Sequence, residues 1–79
     1  MSMKGQTALV TGIGRAICLE LAKNGASIAV NYAGNAQAAE AVAEECRALG
    51  VEAITVQADV ADAGAGAAMV KEVIAKLGR

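Results

Sequence analysis

The run Val10-Thr11-Gly12-Ile13-Gly14-Arg15-Ala16 joins an apolar, β-forming segment to one with helical period, across two glycines. Upstream, Thr7-Ala8-Leu9-Val10-Thr11 does not alternate between apolar and polar residues. That pattern suits a strand covered on both faces. Downstream, Ile13, Ile17 and Leu21 recur at i, i+4 and i+8 with Ala16 beside them, the spacing of one helix face. A glycine turn from a first strand into a first helix lets backbone approach an anionic ligand. The helix then offers free N–H groups and the positive end of its dipole. A dinucleotide is the natural ligand of such a turn. The plainer alternative is that the glycines only make a tight connection.

The same strand–helix unit repeats twice more. Ser27-Ile28-Ala29-Val30-Asn31 and Ala53-Ile54-Thr55-Val56-Gln57 read as strands. Ala39, Val42, Ala43, Cys46 and Leu49 share one helical face, and Val70, Val73, Ile74 and Leu77 another. Glu20, Lys23, Glu44, Glu45, Lys71 and Lys76 fall on the opposite faces. Gly25, Gly50 and Gly78 each follow the last periodic residue, where a left-handed glycine closes a helix. Asn35 and Asp62 are the expected N-caps of the second and third helices. Gly64 and Gly66, each costing about 1 kcal/mol against Ala, predict that the third helix starts late or frays.

Three βα units with short loops argue for an α/β fold with a parallel sheet and right-handed crossovers. The 79 residues allow one small domain or a piece of one, with a core of small aliphatic side chains and a single aromatic, Tyr32. The net charge of −1 and the absence of a basic stripe exclude the footprint of a nucleic-acid binder. No apolar run approaches the ~20 residues of a membrane span, and no apolar stretch of a signal peptide precedes the first strand. Cys18 and Cys46 lack metal-ligand spacing and read as small helix hydrophobes in a reducing compartment. There is no His, and no metal site is expected.

In a parallel sheet the ends of the strands that finish at Thr11, Asn31 and Gln57 share one edge, where ligands of open α/β folds bind. An acidic residue at the end of the second strand binds the ribose hydroxyls in NAD-selective folds. Here Asn31 stands there, and nothing acidic would repel a 2′-phosphate. The same absence disfavours an S-adenosylmethionine-dependent methyltransferase. Asn31 reads either as a ribose-side residue or as an ordinary turn residue. Asp59 either accepts from an adenine amino group or is a loop carboxylate.

Taken together, Thr7 to Gly12, Ile13 to Ile17 and Leu19 to Ala22 resemble the start of a short-chain dehydrogenase/reductase. Ala29-Val30-Asn31-Tyr32-Ala33-Gly34-Asn35 and Val56-Gln57-Ala58-Asp59-Val60-Ala61-Asp62 are similar to the 3-oxoacyl-(acyl-carrier-protein) reductases of bacterial fatty-acid synthesis. The resemblance implies a Rossmann-type doubly wound parallel sheet, of which residues 1–79 are the N-terminal βαβαβα part of one NAD(P)-binding domain. It implies that Gly12, Ile13 and Gly14 meet the cofactor phosphates, Asn31 and Tyr32 the adenosine ribose, and Asp59 and Val60 the adenine. The implied cofactor is NADPH. The implied reaction is hydride transfer to the 3-keto group of an acyl thioester on acyl carrier protein, by a cytoplasmic homotetramer. Alternatives are a catalytically inert nucleotide-binding fragment, or a short-chain dehydrogenase acting on another small ketone or alcohol.

Two departures stand out. The family's turn reads Thr-Gly-x-x-x-Gly-Ile-Gly, whereas Thr11-Gly12-Ile13-Gly14 is four residues shorter. The gap fits on either side of Gly12, and the missing residues normally include a Ser-Arg pair whose Arg meets the 2′-phosphate. The chain also stops where the family continues into its fourth strand, so none of the family's Asn-Ser-Tyr-Lys machinery is assignable. Tyr32 is not that Tyr, because Ala36 stands where its Lys would be. The 79 residues alone are expected to have no turnover. With the first strand as an open edge, they are expected to be oligomeric, molten or partly unfolded.

Overall fold

A computed structural model describes residues 4–12, 14–59 and 62–77, and, of Ala63, its place in a helix but not its side chain. The elements run β1 (Thr7–Val10), α1 (Arg15–Lys23), β2 (Ser27–Tyr32), α2 (Ala36–Ala48), β3 (Ala53–Gln57) and α3 (Ala63–Leu77). The strands form one parallel sheet in the order β1-β2-β3. Val10 lies beside Val30, and Val30 beside Thr55. This is the N-terminal βαβαβα half of a Rossmann-type doubly wound sheet. Strand β1 ends one residue earlier than the sequence pattern suggests, and β2 runs one residue further, through Tyr32.

Side chains alternate between the two faces of a strand, which explains the apolar runs without alternation. Ile28 and Val30 point to the core under α1 and α2, together with Val10 and Ala53. Ala29 and Val56 point to a second core under α3, with Leu9 and Ile54 partly buried against it. Small residues dominate the first core: Ala22, Ala26, Ala39 and Ala43 let helices sit close on the sheet. Cys18 and Cys46 are both fully buried free thiols of that core. Burial pushes both thiols up, and for Cys18 the neighbouring Cys46 adds to it. They behave as small hydrophobes, as their sequence context suggests.

The helix faces depart from the sequence reading in three places. On α1 the inner stripe is Cys18 and Ala22, while Ile17 is 58% exposed and Ala16 lies outside. Helix α1 turns this way because it packs against α2 as well as the sheet. Its Arg15 forms an ion pair with Glu45 of α2 at 2.9 Å. On α3, Met69, Val73 and Leu77 face the sheet, and Val70 and Ile74 are about half exposed. Leu49 caps α2 instead of facing the core and is 44% exposed.

The helix ends follow their capping residues. Asn35 Oδ1 accepts from Ala38 N at 3.0 Å. Asp62 Oδ1 accepts from Gly64 N at 2.9 Å and from Ala65 N at 3.3 Å. Helix α3 therefore begins at Ala63 and not late, because the Asp62 carboxylate holds the first-turn N–H groups that the glycines leave accessible. Gly25 closes α1 at φ 96°, with Gly25 N donating to Ala22 O and Ala26 N to Leu21 O. Gly50 closes α2 at φ 92°. Gly78 lies outside the described residues.

These two glycines make a matched test. A Cβ at Gly25 would stand 3.3 Å from the backbone N of Lys4, whereas one at Gly50 would meet nothing. Gly50→Ala is expected to cost about 1 kcal/mol, the left-handed strain alone. Gly25→Ala is expected to cost about 2 kcal/mol or more, because backbone must also shift. Urea midpoints for the two variants check the order, and equal midpoints would show that the Lys4 approach carries no strain.

Candidate nucleotide site

Parallel strands bring the turns after β1, β2 and β3 to one edge. Gly12 and Gly14 flank the first turn, and Ile13 between them lies outside the described residues. Gly12 has φ 70°, a conformation that disfavours any side chain, and a Cβ there would meet only open space. Gly14 serves a different purpose. A Cβ on it would stand 3.2 Å from Val10 Cγ1 and 3.6 Å from Ile17 Cδ1. Glycine at this position thus lets the start of α1 lie close on the end of β1.

Gly14 is the N-cap of α1, and its carbonyl accepts from Cys18 N at 2.9 Å. It has no side chain to accept from the first-turn N–H groups, and no acidic residue occupies that turn. Helices α2 and α3 satisfy theirs with Asn35 and Asp62. The N-terminus of α1, at the carboxyl edge of the sheet, thus keeps donors and dipole for an anion. Arg15 begins the helix, but its guanidinium is turned to Glu45 on α2.

At the end of β2, Asn31 is only 3% exposed. Its Nδ2 donates to Val56 O at 3.3 Å and to Ala58 O at 3.1 Å. It is therefore a strand residue and not a turn residue. Tyr32 is half-buried against the core under α1 and α2, and its carbonyl accepts from Ala58 N at 3.0 Å. Gln57 Nε2 donates to Ala33 O at 3.2 Å. Past β3, Asp59 is exposed and its carbonyl accepts from Asp62 N at 3.0 Å. Val60 lies outside the described residues. Gly12, Gly14, Asn31, Tyr32 and Asp59 thus share the carboxyl edge.

The ties of Ala58 to β2 leave little trace in the sequence. The one available signal was a polar residue, Asn31, inside an otherwise apolar strand. A groove of about 620 Å³ lies elsewhere, along the outer edge of β1, with Thr7, Leu9, Val70 and Ile74 among its walls. None of the residues at the carboxyl edge lines it. Among the described residues no cluster of His, Cys, Asp or Glu is placed to hold a metal ion. No helix among them is long and apolar enough to cross a membrane.

A glycine turn after β1, an uncapped α1 and a parallel sheet are features shared by dinucleotide-binding α/β folds. The chain belongs to the short chain dehydrogenase family, whose pattern it matches over residues 6–79. It is 52% identical to 3-oxoacyl-(acyl-carrier-protein) reductase FabG of Staphylococcus aureus over 92% of its own length and 31% of that protein's. The alignment runs to 77 positions yet takes in only that share of the chain, which leaves about four positions without a counterpart here. Among solved structures, a short chain dehydrogenase from Burkholderia cenocepacia in complex with NADP is 41% identical. It superposes with a TM-score of 0.91 over 99% of this chain and 34% of that one. NAD+-bound xylitol dehydrogenase is 34% identical, with a TM-score of 0.90 over 100% and 32% of the two chains. The chain thus spans about a third of the length of the relatives it matches, and they include complexes of both nicotinamide cofactors.

Proposed function

We propose that the chain forms the cofactor-binding part of an NADPH-dependent short-chain reductase that reduces the 3-keto group of acyl thioesters on acyl carrier protein. The uncapped N-terminus of α1 beside Gly12 and Gly14 carries this reading, since it offers backbone donors to a pyrophosphate. The donor set fits the group: no carboxylate competes in the first turn of α1. In this reading Gly12, Ile13 and Gly14 lie along the phosphates, Asn31 and Tyr32 stand at the adenosine-ribose end, and Asp59 and Val60 border the adenine. The lack of an acidic side chain at the end of β2 favours a 2′-phosphate. Likeness to the S. aureus reductase supports the ketoacyl substrate and the acyl-carrier-protein partner; a cytoplasmic setting and assembly as a homotetramer are proposed with them.

When bound, NADPH supplies the hydride that reduces the keto carbon. The chain's own residues bind and orient the dinucleotide, and none of them is assigned a proton-transfer role. Titration with NADPH, NADH and S-adenosylmethionine, followed by calorimetry, tests the reading. NADPH is expected to bind tightest. An equal or tighter NADH isotherm would overturn the NADP assignment, and binding of S-adenosylmethionine alone would overturn the dehydrogenase reading. NADPH oxidation with a ketoacyl thioester is expected to be undetectable for the 79 residues alone.

A further inference from the structure

Asn31 is the next-to-last residue of β2, beside the strand end where nucleotide-binding folds bind the ribose, yet its amide is turned into the protein. Both hydrogens of Nδ2 are donated to backbone carbonyls, Val56 O and Ala58 O. Those oxygens only accept, so the orientation of the amide is dictated: the reverse would set Oδ1 against two carbonyls. Ala58 lies one residue past the end of β3, and its N–H donates to Tyr32 O. The Asn31 side chain thus adds one more rung to the β2–β3 ladder after the strand has ended. Ala58 leads directly into Asp59, whose carbonyl accepts from Asp62 N at the start of α3.

We propose that Asn31 is a positioning residue. It holds Ala58 and Asp59, the wall for the base of the nucleotide, against the end of β2, and it does not read the ribose substituent. The proposal rests on the nucleotide-binding reading above. Under it, replacing Asn31 weakens nucleotides with and without a 2′-phosphate by the same factor, because the shared base loses its wall. A residue contacting the ribose directly would instead change the ratio between them.

The test is Asn31→Ser, whose hydroxyl is too short to reach both carbonyls. NADP+ and NAD+ affinities are measured by calorimetry and amide hydrogen exchange by NMR. Both affinities are expected to fall about fivefold to tenfold, the loss of roughly one hydrogen bond's worth of ordering, with their ratio unchanged. Exchange is expected to quicken at the Ala58 and Asp62 amides and to stay constant at Ile28, near the start of β2. A changed ratio with unchanged exchange would overturn the proposal, as would unaltered affinities for both nucleotides. If the parent chain binds neither nucleotide, the functional reading fails by itself. The exchange at Ala58 and Asp62 then decides: protection equal to the parent's overturns the positioning role, and local loss upholds it. Should Asn31→Ser not fold, Asn31→Thr retains one hydroxyl donor and suits a strand, and it carries the same comparison.

Discussion

Asn31→Asp is expected to leave the chain largely unfolded at neutral pH. The substitution is nearly isosteric, so packing is unchanged and the cost is electrostatic. A buried carbonyl, Val56 O, and a partly buried one, Ala58 O, lose their donor and face a carboxylate instead. An unsatisfied buried polar group costs about 1–3 kcal/mol, and an uncompensated buried charge about 3–5 kcal/mol. A chain of this length commands a total of about 4–12 kcal/mol, and small domains sit toward the low end. The defect depends on pH with a definite sign. Facing only acceptors, the new carboxyl prefers its proton in the folded state, which raises its folded value above the unfolded one. The charge part of the penalty is absent below the unfolded value of about 3.9, grows as pH rises, and is complete above the folded value, while the loss of one of the two donated hydrogens persists at every pH. Urea melts by circular dichroism at pH 7 and near pH 4 check this. A variant as stable as the parent at both would show that the amide contributes nothing to the fold.

Ile28→Ala is expected to have a comparable effect by a different route. Ile28 is the largest of the fully buried side chains, in the central strand under α1 and α2. Truncation of a buried Ile costs about 2–5 kcal/mol, the upper part applying where neighbours cannot collapse into the space. Here many of the neighbours are alanines, Ala22, Ala39, Ala43 and Ala53 among them, and they have no rotamers with which to fill a hole. About 3 kcal/mol or more is expected. Ile54→Ala, in a partly buried position under α3, is expected to cost clearly less. Thermal melts of the two variants give the comparison, and equal losses would mean that the α1–α2 core is no tighter than the α3 one.

The two cases mark where sequence reading succeeds and where it stops. Ile28, Val30 and Val56 were legible as core because an apolar run without alternation is buried on both faces. Gly25 and Gly50 were legible as helix ends because left-handed backbone selects glycine locally. The α1 face differs from the one its spacing predicts. Ile17 has the right spacing from Leu21, but α1 packs against α2 as well as the sheet, and Cys18 and Ala22 take its inner face. The late start expected of α3 was wrong for a local reason: a single Asp62 carboxylate outweighs two glycines.

At the carboxyl edge the same division holds. The glycine turn after β1, the missing acid after β2 and the shared strand edge are properties of residue type and element order, so the sequence by itself determined them, along with the family. The inward turn of Asn31 depends on a register, Asn31 beside Val56, that pairs residues 25 apart. So do the two stripes that split the core between α1–α2 and α3, and the exposure of Ile17, Val70 and Ile74. Only the tertiary structure decided these. A hydrogen bond between distant residues, or the rotation of one helix against another, is set by which surfaces meet, and no local pattern encodes it.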